Sequence, residues 1–150
     1  MNRLTVLLAA VALATSLSAH ADVREPVRYR QLHVSPGVGE YTIARVRGPG
    51  VFVASSVVGI GINTTQIGVF VEIDDRTVFQ SGLGSADATI GGQTNSGVGV
   101  TYAPDLGGRA RASFGVPEPL QFERELRVYV RVEAGMPSRV FGDVLVGAAD

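Results

Sequence analysis

From Leu120 to Glu133 apolar and polar residues alternate with a period of two. Leu120, Phe122, Leu126, Val128, Val130 and Val132 fall on one face, which only Arg124 interrupts. Gln121, Glu123, Glu125, Arg127, Tyr129, Arg131 and Glu133 fall on the other. A helix, turning once every 3.6 residues, would scatter the two sets around its circumference, whereas a strand must separate them. The segment therefore reads as one long strand with one face on a core and one in water, as in an antiparallel sheet.

The same alternation, broken by turn residues, recurs along the chain. Strands are expected near Val27 to Val34, Glu40 to Arg47, Val51 to Ile62, Gln66 to Ile73, Arg76 to Ser81, Gly97 to Tyr102, Arg109 to Phe114, Leu120 to Glu133 and Arg139 to Val146. Ser35-Pro36-Gly37-Val38 and Gly48-Pro49-Gly50-Val51 place Pro second and Gly third, the order of a type II turn with positive φ at the glycine. Asp74-Asp75 reads as a two-residue hairpin turn, because Asp tolerates left-handed backbone. That register sets Phe70 against Phe79 and Val71 against Val78, with both faces apolar, as expected inside the domain. Gly59 and Gly61 suggest a bulge or bend that carries the chain between sheets. Residues 82–108, rich in Gly, Ser, Thr and Asn, read as a long loop region with one or two short strands.

Short strands with turns roughly every 8–12 residues indicate an all-β fold, a two-sheet antiparallel β-sandwich of jelly-roll or Greek-key type. An outer-membrane barrel would need aromatic girdles at both rims. This chain has no Trp and ends Val146-Gly147-Ala148-Ala149-Asp150 without a terminal aromatic.

Residues ahead of the first strand carry a different signal. Met1-Asn2-Arg3 precedes a nearly pure apolar run from Leu4 to Leu17, and Ala19 and Ala21 occupy the small-residue positions of a cleavage site. Residues 1–21 are read as a cleaved signal peptide and residues 22–150 as a single domain. The apolar run is shorter than the ~20 residues that span a bilayer, so no transmembrane segment is expected in the processed chain. No cysteine follows to accept a lipid and no Arg-Arg pair precedes the run. Export by the general secretory route, to a periplasm or the extracellular space, is expected.

The chain has no cysteine, which removes disulfides and thiol chemistry, and no lysine, so all 13 basic residues are Arg. With 14 acidic residues against them, the balance argues against nucleic acid as a partner. After cleavage one histidine, His33, remains, too few for a zinc or copper site. It lies in an alternating strand and no nucleophile-elbow sequence accompanies it, so a surface histidine is the reading preferred to a triad base. Calcium is harder to dismiss than zinc or copper, because Asp74, Asp75, Asp87, Asn95 and Asp105 offer oxygen ligands in expected turns. No Asp-x-Asp-x-Asp-Gly loop organises them, and turn formation accounts for these residues. Gly59-Ile60-Gly61 lacks the third glycine and the helix of a dinucleotide site. Asn63-Thr64-Thr65 is a glycosylation sequon by letter.

Glu72, Glu123, Glu125 and Glu133 offer carboxylates for a hydrolase, but adjacent arginines make charge pairing the simpler account. The surface feature that stands out is the stripe Arg127, Tyr129, Arg131, where guanidinium and aromatic groups alternate on one exposed face. Such a stripe could hold an anionic ligand or a partner strand, and the simpler reading is a solvated face of Arg-Glu pairs. No cofactor is expected. The leading functional reading is a non-enzymatic interaction module that self-associates or joins an envelope or extracellular assembly. The alternatives are a ligand- or glycan-binding module with its site in the end loops, and a small carboxylate-dependent hydrolase.

Overall fold

The computed structural model describes residues 24–61, 66–83, 87–90, 93–96, 100–101 and 110–149. The expected signal peptide, residues 1–21, lies outside them. Eleven strands and no helix make up the described chain: β1 (Arg24–Val34), β2 (Gly39–Arg47), β3 (Gly50–Ile60), β4 (Gln66–Ile73), β5 (Arg76–Gly82), β6 (Asp87–Ile90), β7 (Gln93–Ser96), β8 (Val100–Thr101), β9 (Ala110–Phe122), β10 (Glu125–Ala134) and β11 (Arg139–Ala148). They form two antiparallel sheets, ordered β1-β11-β3-β9-β8 and β2-β10-β4-β5-β6-β7.

The pairing has a simple logic. β1 pairs with β11, β2 with β10, β3 with β9 and β4 with β5, so the chain doubles back on itself as one long ribbon closed by the β4–β5 turn. Successive rungs of that ribbon fall in alternate sheets. This winding is the jelly roll, one of the two sandwich types expected. Among the described residues both sheets keep free ends and no pairing closes them into a barrel.

The core lies between the sheets and is built largely of valine. Phe52, Phe79, Phe122 and Leu126 fill it with Val57, Val69, Val71, Val128, Val130, Val132, Val140 and Val144. β-branched side chains suit a pleated surface, and each one buried contributes roughly 1.5–3 kcal/mol. No buried side-chain nitrogen or oxygen among the described residues lacks a hydrogen-bond partner.

Five local expectations need correction. Leu120 to Glu133 is not one strand: β9 ends at Phe122 in one sheet and β10 starts at Glu125 in the other. Two corner residues keep the parity, so Phe122 and Leu126 both still point into the core, and Arg124, the interruption in the pattern, sits outside at the corner. The corner is fastened by Asp74. Its carboxylate accepts the backbone N–H groups of Glu123, Arg124 and Glu125 at 2.8–2.9 Å, and its own N–H donates to the Glu125 carbonyl. These bonds hold the Asp74 carboxyl below its ordinary value.

The Asp74-Asp75 turn does form, with both residues at positive φ, and Ile73 faces Arg76 as expected. Glu72 faces Thr77 in the same register, but beyond that pair it shifts, and Val71 faces Phe79 while Phe70 faces Gln80. Val78 is the extra residue of a bulge, which turns Phe79 into the core.

The two Pro-Gly turns join strands of different sheets, and neither Gly37 nor Gly50 has the positive φ of a type II turn. The left-handed residues are instead Ser35 and Gly48, one place before each proline. At Gly48 glycine takes that conformation without steric cost. Gly59 lies in an unbroken ladder between Val140 and Ala110, and of the two glycines only Gly61, at φ 72°, makes the expected bend, just past the end of β3 at Ile60.

Within residues 82–108, where a loop with one or two short strands was expected, the described residues include three short strands. β6 and β7 extend one sheet and β8 extends the other. Edge pairing needs only backbone groups, so polar stretches such as Gln93–Ser96 can join without an alternating pattern.

Candidate functional site

The stripe Arg127, Tyr129, Arg131 lies on the solvent side of β10, where cross-strand neighbours complete it. Register places Arg127 opposite Glu72, Tyr129 opposite Phe70, and Arg131 between Glu40 and Gly68. The Tyr129 and Phe70 rings stack with centroids 4.9 Å apart and planes 8° from parallel. Arg127 covers the Tyr129 ring at 4.2 Å and Arg131 covers that of Phe70 at 5.1 Å, both within cation-π range. The Phe70 ring lies against Gly68, where an added Cβ would come within 2.7 Å of it. An aromatic pair on an outer sheet face is thereby roofed, and Tyr129 is 4% exposed.

The charges of this cluster answer one another. Glu40 accepts from both guanidinium groups, Arg127 and Arg131, the latter at 2.9 Å. Those bonds, Arg131 first, hold the Glu40 carboxyl below its usual range. Tyr129 donates its hydroxyl to Glu72 at 2.8 Å, and Arg127 stands 3.7 Å from the same carboxylate. Burial, and then the bond to Glu72, push the Tyr129 phenol up to about 12. Two arginines meet two glutamates, so an anion arriving at the stripe would compete with Glu40 for its donors. Sequence reading missed Glu40 and Phe70, because strand order in space, not in the chain, puts them beside β10.

The remaining candidates are dispersed. Glu125 accepts from Arg45 at 2.8 Å, with Arg47 at 3.5 Å, and these partners lower its pKa. Glu123 and Glu133 are exposed, at the corner and on β10. His33 directs Nε2 to the Thr42 carbonyl at 3.0 Å, with its ring tilted against Tyr41. Its side chain thus links β1 to β2 across the two sheets. Of the calcium candidates, Asp74 spends its carboxylate on the corner and Asp75 pairs with Arg124 at 3.1 Å. Asp105 and the sequon at residues 63–65 lie outside the described residues. No group of three or more potential metal ligands occurs among the described residues.

A second surface feature is the open side of β1. Among the described residues this strand pairs with β11 alone. Val27, Leu32 and Val34 on it are 53%, 52% and 67% exposed. Val38 and Met136, also exposed, sit in the two turns at its far end, which the Ser35 N–H to Ser138 carbonyl bond ties together. Beside β1 an open groove of about 710 Å³ crosses the outer face of the same sheet, lined by Arg30, Leu32, Ile60, Arg139, Phe141 and Asp143 among others. Arg30 is paired there with Asp143 at 2.5 Å.

No protein-family model and no curated protein matches the sequence. Among solved structures, the chain is similar to the cryo-EM structure of the giant freshwater prawn Macrobrachium rosenbergii extra small virus (XSV) VLP. That alignment covers 97% of this chain and 94% of the other at 12% identity, with a TM-score of 0.37. It is also similar to a structure of infectious bursal disease virus, Gx strain, at 10% identity and a TM-score of 0.33, covering 85% of this chain and 33% of that one. The T=1 particles derived from infectious bursal virus align at 11% identity and a TM-score of 0.31, covering 95% and 36%. At these scores the likenesses carry no argument about what the chain does.

Proposed function

We propose that this chain is an exported, non-enzymatic β-sandwich module that acts by associating with copies of itself, within an envelope or extracellular assembly. The observation that carries the reading is the open edge of β1, an eleven-residue strand that among the described residues pairs with β11 alone and bears exposed Val27, Leu32 and Val34. An unpaired row of backbone donors and acceptors flanked by apolar side chains is a template for another strand. Export rests on the order of residues in 1–21, a basic start, an apolar run and a small-residue cleavage site. The non-enzymatic part is supported by the internal pairing of two of the four candidate carboxylates, Glu72 with Tyr129 and Arg127 and Glu125 with Arg45, and by the dispersal of Glu123 and Glu133 on the exposed surface.

Light scattering across a concentration series tests it. Discrete dimers or larger closed species are expected at micromolar concentration. A strictly monomeric protein at the highest attainable concentration refutes the reading.

A further inference from the structure

The backbone of β1 determines which of its groups are free. Ser35 donates its N–H to the Ser138 carbonyl, toward β11. In a planar trans peptide the C=O and the following N–H point in opposite directions, so the Val34 carbonyl faces away from β11. Strand alternation then turns the N–H and C=O of Arg28, Arg30, Leu32 and Val34 outward, while Val27, Tyr29, Gln31 and His33 bond to β11. Prolines bracket this outward row. Pro26 lies just before it, and at its other end the chain leaves through Ser35 and Pro36.

We infer that the partner of this edge is a second copy of the same edge, paired antiparallel about a two-fold axis through Gln31. This deepens the self-association reading and rests on it. Gln31 is midway between Pro26 and Pro36, so a two-fold there sets the two prolines opposite each other, beyond the ends of the ladder. Residue 28 then faces 34 and residue 30 faces 32, each pair exchanging both of its backbone bonds. The side chains agree: Arg28 meets Val34 and Arg30 meets Leu32, so arginine stems cover the exposed apolar residues and no arginine faces another. A two-fold centred on residue 30 would stack Arg30 on Arg30. One centred on residue 32 would pull Pro36, which has no N–H, into the ladder opposite Arg28. Val27 of each copy comes to lie beside the Ser35–Val38 turn of the other. The result is an isologous contact that closes at two copies and leaves no further edge on β1.

Two variants test the register in the full chain as purified after secretion. Leu32→Pro removes an outward N–H that β11 does not use, and edge strands accept proline on that side. It should keep the circular-dichroism spectrum of the parent and convert dimer to monomer. Gln31→Cys, in a chain with no other cysteine, places two thiols across the axis, and mild oxidation should give a covalent dimer. Val34→Cys is the control, since its two copies would stand ~20 Å apart, six residues of strand, and should not cross-link. If Leu32→Pro fails to fold, the contrast between the two cysteine variants decides alone. A parent that dimerises while Leu32→Pro stays dimeric, or while Gln31→Cys cross-links no better than Val34→Cys, overturns this edge and leaves self-association standing. A parent that is monomeric throughout overturns both.

Discussion

Replacing Tyr129 by Phe removes one hydroxyl and leaves its ring on Phe70, so it isolates the bond to Glu72. A hydrogen bond to a charged group contributes about 1.5–3 kcal/mol. Glu72 keeps Arg127 at 3.7 Å and a side chain one-quarter exposed, so water and the guanidinium recover part of the loss. The lower bound, about 1.5 kcal/mol, is therefore expected. For a domain of this size that corresponds to a Tm lower by about 4–7 °C in differential scanning calorimetry. A double-mutant cycle with Glu72→Gln should return most of it as coupling energy, and a coupling under about 0.3 kcal/mol would refute the bond. The same hydroxyl has a second signature. Its pKa is raised from 10.0 to about 12, and deprotonation is the charged form that burial disfavours. A group so raised contributes its full stabilisation below pH 10 and loses it as pH climbs toward 12. A phenolate absorbance titration should show a late phase near pH 12 that is absent from Tyr129→Phe. If the two titration curves coincide at high pH, Tyr129 is not buried against Glu72.

Other perturbations follow from the same geometry. Asp74→Ala leaves the N–H groups of residues 123–125 without their acceptor and should lower Tm by several degrees; an unchanged Tm would mean that the strands alone hold the corner. Glu40, Asp74 and Glu125 all titrate below their ordinary values of 4.5, 3.8 and 4.5. Depressed carboxylates contribute in full above those values and lose the contribution as pH falls through the lower folded ones, so urea midpoints should hold from about pH 7 to 5 and drop below about pH 4. Leu126→Ala, at a fully buried position just past the corner, should cost about 2–5 kcal/mol by chemical denaturation, and a loss under about 1 kcal/mol would place Leu126 outside the core. Gly68→Ala drives a methyl group into the Phe70 ring and should weaken near-ultraviolet circular dichroism without loss of β signal; an unchanged aromatic band would show the ring is not seated there.

What could be read along the chain was whatever depends on near neighbours. Period-two burial from Leu120 to Val132 identified the strands and their inward faces, because side-chain direction in a strand is set by parity alone. Turn chemistry located the Asp74-Asp75 hairpin for the same reason, since left-handed backbone is a property of single residues. The charge balance and the missing cysteines narrowed the chemistry without reference to any fold.

Tertiary structure decided everything that joins distant residues. Parity does not change when a chain turns a corner through two residues, so nothing in the alternation could show β9 and β10 parting into different sheets, or that a carboxylate some fifty positions earlier clasps the bend. Arg127, Tyr129 and Arg131 were visible as a stripe, but Glu40, Phe70 and Glu72 reach them only because the doubled ribbon lays β2 and β4 on either side of β10. The open side of β1 was equally hidden. Whether a strand is central or at an edge depends on how the ribbon rolls, and rolling is a property of the closed fold, which among the described residues leaves β1, β2, β7 and β8 at the ends of the two sheets.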